Sequence, residues 1–206
     1  MNPIIIGISG RSGSGKTTIV RGLAEQMGRE VLTVHTMDNY YIPREEQIID
    51  SKNYRNFDLP ESFYGDRFYQ DLVALKKGRK VSLIEYVYNN ESDPKVIEIT
   101  PAPVVLVEGL FIFHYSEVRD MLDLKILVDI DFQEAYRRRL DRDQRERNYH
   151  ISEISHRYEN HAEPAYQSFI EPFRSEMDLV FFNNQEPQSG IDVIRAYIEE
   201  RMGLMI

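Results

Sequence analysis

The 206-residue chain contains no cysteine. Disulfides and cysteine-ligated metals are thereby excluded, and an intracellular, cytoplasmic setting is expected. Long apolar runs are missing as well. No stretch approaches the ~20 apolar residues that a membrane-spanning helix needs. The opening MNPIIIGISG has only a short apolar run and no basic leader, so it reads as a strand and not as a signal peptide. Positive charge is in deficit: 25 lysines and arginines against 34 acidic residues give a formal net charge of -9. That balance argues against general affinity for nucleic acid or an anionic membrane. No internal repeat or low-complexity linker breaks the sequence, so one domain over residues 1–206 is expected.

Against this acidic background, residues 137–147 (RRRLDRDQRER) hold six arginines in eleven positions. A solvated helix face, a nucleic-acid patch and a clamp for a small anion are the three candidate explanations. A nucleic-acid patch predicts further basic segments, which the chain lacks.

Short β-branched runs alternate with helical patterns. Strands are expected at 3–9, 31–37, 102–109, 124–130 and 178–183. Helices are expected at about 15–27, from Asp131 through the arginine stretch, over 152–173 and over 189–201. The alternation predicts an α/β fold with a five-stranded, mainly parallel sheet flanked by helices. Residues 81–99 interrupt it and read as a small inserted hairpin. The 132–173 region reads as an arginine-rich helical lid.

Gly10-Arg11-Ser12-Gly13-Ser14-Gly15-Lys16-Thr17 fits the pattern G-x-x-x-x-G-K-[ST] at every fixed position, with a strand before it and a helix after it. This P-loop predicts a P-loop NTPase fold. In such a loop, glycines let backbone N–H groups close around phosphate oxygens. Lys16 would reach the β and γ phosphates of ATP or GTP, and the Thr17 hydroxyl would ligate Mg²⁺. The expected nucleotide-binding set is Gly10, Ser12, Gly13, Ser14, Gly15, Lys16, Thr17 and Thr18. No guanine-reading N-K-x-D occurs, which excludes a switch GTPase. Asp38 and Glu108 close two expected parallel strands, at the edge where ligands bind. One is expected as a metal ligand and the other as a base. Asp129 and Asp131 read as structural, the latter as a helix cap. The five histidines show no metal-ligand spacing and read as surface or lid residues.

Taken in order, GISGRSGSGKTT, MDNYY, NFDLPESF, VVLVEGLF, LVDIDFQEAYRRRLDRDQRER and YENHAEPAYQSFIEPFRSEMDLVF resemble the uridine kinase (uridine–cytidine kinase) family, P-loop kinases related to phosphoribulokinase. The resemblance runs from Ile4 to about Asn184. It implies transfer of a nucleotide γ-phosphate, with Mg²⁺, to the 5'-hydroxyl of uridine or cytidine in pyrimidine salvage. It also implies a homotetramer or dimer. By motif, Asp38 corresponds to the catalytic carboxylate and Glu108 to the metal-linked glutamate. Tyr41, Phe57, Asp58 and Tyr86 fall where the nucleoside is held, and Arg139 and Arg142 fall on the lid helix.

An arginine clamp is then the expected answer for residues 137–147. Arg139 lies closest to the apolar stripe of Phe132, Ala135, Tyr136 and Leu140, so it needs an anion partner, and a transferring phosphoryl group is one. The remaining arginines alternate with Asp141, Asp143 and Glu146 and read as a solvated, salt-bridged face. Two departures from the family pattern concern the acceptor. The base-contacting hairpin commonly reads Pro-x-Tyr-Asp with a histidine soon after, whereas here Ile84-Glu85-Tyr86-Val87 leads into YNNES. Asn90 or Glu91 would then read the base: an ionised Glu91 only accepts, matching the cytosine amine, while Asn90 could serve either base. After "ER", the family's glycine and arginine are Asn148 and Tyr149. Two other functions remain open: a kinase for another alcohol, phosphoribulokinase-like or pantothenate kinase-like, and a nucleotide-binding regulatory module without transfer activity.

Overall fold

β1 (Ile4–Gly10) is buried along six of its seven residues, as expected of a parallel strand covered on both faces. The structure, a computed structural model, describes residues 3–87 and 95–203. Its further strands are β2 (Leu32–Thr36), β3 (Val81–Ile84), β4 (Val96–Ile99), β5 (Val104–Glu108), β6 (Leu124–Asp129) and β7 (Leu179–Phe182). Five form one parallel sheet in the order β2-β5-β1-β6-β7. The other two, β3 and β4, pair antiparallel as the expected hairpin. The hairpin's tip, with Asn90 and Glu91, lies outside the described residues.

Alternate residues of β1 feed two cores, because strand side chains alternate between faces. Ile6 and Ile8 join Leu106 and Ile126 under two helices, α1 (Lys16–Met27) and the C-terminal helix at Gln188–Arg201. Ile5, Val105 and Val107 face the opposite layer, where α2 (Gly65–Lys76) inserts Phe68, Leu72 and Leu75. The sequence reading did not place a helix at α2. The spacing of those three residues, i, i+4 and i+7, is the signal that marks it. A short helix, α3 (Ser116–Arg119), precedes β6.

The arginine stretch lies on α4 (Phe132–Arg147). Asp131 precedes this helix as expected, but its side chain makes no cap hydrogen bond. Its carboxylate instead accepts from the side-chain amide of Asn184 at 2.9 Å. The helix stops at Asn148, which adopts φ 55°, a left-handed conformation that asparagine tolerates. The expected 152–173 helix is broken into α5 (Ile151–Arg157), a π-helical turn (Tyr158–Ala162) and α6 (Glu163–Phe169). The C-terminal helix is α7. No helix of the described residues is long and apolar enough to cross a membrane.

Two expectations need correction. His35 is not a surface residue. It is fully buried, stacked on Phe68 with ring centroids 4.8 Å apart, and burial lowers its pKa to about 4, which keeps it neutral. Asp143 is not part of a solvated face. Only 1% of its side chain is exposed, and it is ringed by Arg142 (2.8 Å), Arg147 (3.3 Å) and Arg139 (3.4 Å). By contrast, Arg137, 60% exposed and paired with Glu134 and Asp141, fits the solvated reading.

Removing a buried partner strands charge, whereas removing an exposed one does not. Asp143→Ala is therefore expected to lower the unfolding free energy by about 3–5 kcal/mol. Asp141→Ala is expected to change it by less than about 0.5 kcal/mol. Urea unfolding of both variants measures the contrast, and equal effects would place Asp143 outside any buried network.

Candidate active site

The P-loop leaves β1 at Gly10 and enters α1 at Lys16. Gly13 and Gly15 hold φ of 84° and 91°, which other residues rarely adopt. A Cβ at Gly13 would meet the Ala135 carbonyl oxygen at 2.4 Å, and one at Gly15 would meet the Asn183 amide at 2.4 Å. The loop is thus pressed between α4 and the end of β7. Lys16 curls back over it, its Nζ donating to the carbonyls of Gly10 (2.9 Å) and Arg11 (3.1 Å). Burial lowers the Lys16 pKa, while Glu108 and Asp38 pull it up.

Strand register places the carboxylates. Glu108 ends β5 opposite Ile8 on one side and Thr36 on the other. The Thr36 hydroxyl donates to Glu108 at 2.8 Å and accepts from the backbone N–H of Asp38 at 3.2 Å. Glu108 is 5% exposed. Burial and then the neighbouring charge of Asp38 raise its pKa to about 7, against opposing pulls from Lys16 and Thr36. Asp38 opens onto the cleft yet has protein on most sides. Desolvation raises its pKa, and Lys16, Arg142 and Arg147 oppose that rise.

A cleft of about 710 Å³ gathers most of the expected residues: Ser12, Gly13, Gly15, Lys16, Thr17 and Thr18 on one side, and Asp38, Tyr41, Phe57, Asp58, Glu108, Arg139 and Arg142 around them. Gly10 and Ser14 stay behind this wall as buried support, the Ser14 carbonyl accepting from Asn183 at 2.7 Å. Tyr86 is not on the cleft. It borders a neighbouring pocket of about 530 Å³ and packs against Tyr41, ring centroids 5.0 Å apart. Tyr41 also meets Phe57 edge to face at 5.8 Å.

Arg139 has an anion partner, and in this structure it is Asp58. The guanidinium forks onto both carboxylate oxygens at 3.0 and 2.9 Å and also donates to the Ser12 hydroxyl at 3.1 Å. Sequence reasoning missed Arg147, Arg157 and Asn183, which also line the cleft. Arg147 sits four and eight residues beyond Asp143 and Arg139, on one helix face. Asn183 follows β7 at the same sheet edge as Asp38 and Glu108. Both signals were present. Arg157 had none, because its place depends on packing over the Tyr54 and Tyr149 rings. Asp129 and Asp131 do not line the cleft, Asp129 accepting from Arg174 at 2.6 Å and Asp131 from Asn184 in place of the expected cap.

The arrangement suits a nucleotide and a hard cation. The loop turns Ser12, Gly13 and Gly15 to Thr18 onto the cleft, where phosphate oxygens would lie. Thr17, Glu108 and Asp38 offer oxygen ligands, and a carboxylate raised to about 7 by burial beside another is a group that a cation would relieve.

Comparison with known proteins agrees with this geometry. Residues 5–188 match the model of the phosphoribulokinase/uridine kinase family. The chain is 32% identical to a uridine kinase of Chlamydia pneumoniae over 201 residues, covering 97% of this chain and 90% of that one. It is 34% identical to a uridine kinase of Leuconostoc citreum, covering 94% of each. The fold also resembles the solved structure of a possible uridine kinase from Bacillus stearothermophilus, with a TM-score of 0.63 at 18% identity over 88% of this chain and 89% of that one.

The Glu108 carboxyl holds its proton more tightly in the folded chain, near pH 7, than in the unfolded one, near 4.5. Rising pH therefore strips the unfolded state first, and stability falls between these values. In metal- and nucleotide-free protein, Glu108→Gln is expected to gain on wild type by up to roughly 3 kcal/mol as pH rises from 5 to 8. Thermal melts across that range measure the gap, at about 2–4 °C per kcal/mol. A gap independent of pH would contradict the assignment.

Proposed function

The chain belongs to the phosphoribulokinase/uridine kinase family, and from that premise we propose that it is a nucleoside kinase, transferring the γ-phosphate of ATP or GTP to the 5'-hydroxyl of uridine or cytidine. The observation that carries the proposal is that both sets of residues share one cleft. Its P-loop half can hold a triphosphate, and its other half presents a carboxylate, two aromatic rings and a second, anchored carboxylate.

Phosphoryl transfer asks little covalent chemistry of the protein and much positioning. Backbone N–H groups from Ser12 to Thr18 would hold the phosphates, and Lys16 would swing from its carbonyl partners to follow the γ-phosphate. Thr17 and Glu108, with Asp38 nearby, would hold Mg²⁺, which when bound neutralises phosphate charge. Asp38 would take the 5'-hydroxyl proton as the new O–P bond forms and the bond to the β-phosphate oxygen breaks. Arg142, which lines the cleft and acts on the charge of Asp38, would meet charge on the moving phosphoryl group.

Asp58 would accept from the ribose hydroxyls. An ionised carboxylate has about four lone-pair sites, and Arg139 uses two, so capacity remains. Arg139 is then a positioning residue that fixes Asp58 and the P-loop to each other. Tyr41 and Phe57 would flank a flat base. The 132–173 segment acts as the lid in this proposal, within one kinase domain. One observation favours a second reading: Arg147 and Arg157 also face the cleft, and an acceptor alcohol with its own phosphate or carboxylate would use them.

Asp38→Asn keeps a hydrogen bond to the hydroxyl but cannot take its proton. It is expected to lower kcat on the order of a hundred- to ten-thousand-fold, with ATP affinity changed only a few-fold. Steady-state kinetics beside direct ATP titration check this, and an unchanged kcat would remove Asp38 from the mechanism.

A further inference from the structure

Outside the cleft, three side chains meet that no part of the proposed phosphoryl transfer uses. Asp50 Oδ2 lies 2.6 Å from His156 Nε2 and 2.9 Å from His161 Nε2. All three ligand atoms fall within 4.8 Å of one another. None of the three residues lines the cleft.

The local structure builds this meeting. Asp50 opens a tight turn whose Asn53 holds φ 65°. Its Oδ1 accepts the backbone N–H groups of Lys52 (2.9 Å) and Tyr54 (2.8 Å), which fixes the carboxylate and leaves Oδ2 directed at the two rings. The histidines are five residues apart. An α-helix would set them about 140° from each other. The π-helical turn at Tyr158–Ala162 pairs i with i+5 and brings them back toward one face. Their rings cross at 79° with centroids 5.7 Å apart, both nitrogens reaching one oxygen.

We propose that Asp50, His156 and His161 form a binding site for a divalent transition cation of the zinc class, which clips the turn at 50–54 to the α5–α6 segment. Two imidazoles and one carboxylate are a ligand set that Zn²⁺ and Co²⁺ favour and Mg²⁺ and Ca²⁺ do not. Tetrahedral bonds of about 2.0–2.1 Å set ligand atoms about 3.3 Å apart, so the Asp50 oxygen needs to draw back from the two nitrogens by about half an ångström. Each Nε2 must offer its lone pair, with the ring proton on Nδ1. His156 Nδ1 lies 3.2 Å from the Asn160 side-chain amide nitrogen, which also donates to the His156 carbonyl at 2.8 Å, so the Asn160 side chain must turn away for Nδ1 to carry that proton. His161 Nδ1 is buried without a hydrogen-bond partner, so nothing on that side fixes its tautomer. The consequence reaches the cleft through the chain: Phe57 and Asp58 follow the clipped turn, and Arg157 is the neighbour of His156.

The test uses the full chain, stripped with chelator and dialysed, in saturating Mg²⁺ so that the catalytic carboxylates are not titrated. Calorimetry with Zn²⁺ alone is expected to give one site per chain. Co²⁺ is expected to give visible absorption bands of a low-symmetry, four-coordinate centre. His161→Gln and Asp50→Asn should each weaken Zn²⁺ binding at least about tenfold. His150→Gln, a surface histidine outside the cluster, should leave it unchanged. Zn²⁺ should raise the wild-type Tm and leave those of the two cluster variants where they are. If wild type takes up no stoichiometric Zn²⁺, the three residues are a hydrogen-bonded cluster only and the proposal fails. Uptake that persists in both cluster variants would also overturn it, by placing the ion elsewhere. Because the readout is metal binding, its failure leaves the kinase proposal untouched.

Discussion

A guanidinium with 5% of its side chain exposed must have its charge answered within reach, since no water is available to do so. Arg139 is that group, and its answers tie the molecule together. One fork goes to Asp58, on the loop that follows β2. One nitrogen reaches Ser12 in the P-loop. Its own helix supplies Asp143 one turn on. Three segments far apart in sequence therefore have one relative placement that satisfies the charge. An α4 undocked from this contact would take the guanidinium away from the buried Asp58 carboxylate, so the cleft's two halves are held in register by the pair.

Around that contact the fold pools charge at one edge of the parallel sheet. Glu108 and Asp38 arrive there because β5 and β2 end together, and Lys16 because α1 begins where β1 ends. Burial raises the proton affinity of both carboxylates and the Asp38 charge raises that of Glu108 further, while Lys16 lowers both and Arg142 and Arg147 lower that of Asp38. Such a group of opposed charges is costly without ligands and is relieved by a polyanion with its cation. The same strain that makes the site receptive also costs stability, as in many sites built for binding.

Much of this was legible in the sequence, for physical reasons. The P-loop announces itself because positive φ and the close Ala135 carbonyl and Asn183 amide permit glycine alone at Gly13 and Gly15. Parallel strands covered on both faces read as apolar runs, so β1, β5 and β6 were found. Asp38 and Glu108 were marked by standing where such runs stop. Asp143 was misread because arginine and aspartate at helical spacing look the same on a wet face and a docked one. The difference lies in Asp58, 81 residues from Arg139. Asp50 and its histidines, 106 and 111 residues apart, were hidden for the same reason, and a π turn has no periodicity that an α-helical reading would detect. Helix α2 was simply overlooked, although Phe68, Leu72 and Leu75 carry the pattern.

The central claim is that the cleft joins a triphosphate site to a nucleoside site. It is tested most directly by following ADP release with Mg²⁺ and ATP in the presence, separately, of uridine, cytidine, pantothenate and a sugar phosphate, with the product identified by mass. The account predicts turnover that depends on a pyrimidine nucleoside and yields its 5'-monophosphate, with kcat/KM at least about a hundredfold above the other acceptors. Turnover led by pantothenate or the sugar phosphate, or no nucleoside-dependent turnover at all, would contradict it.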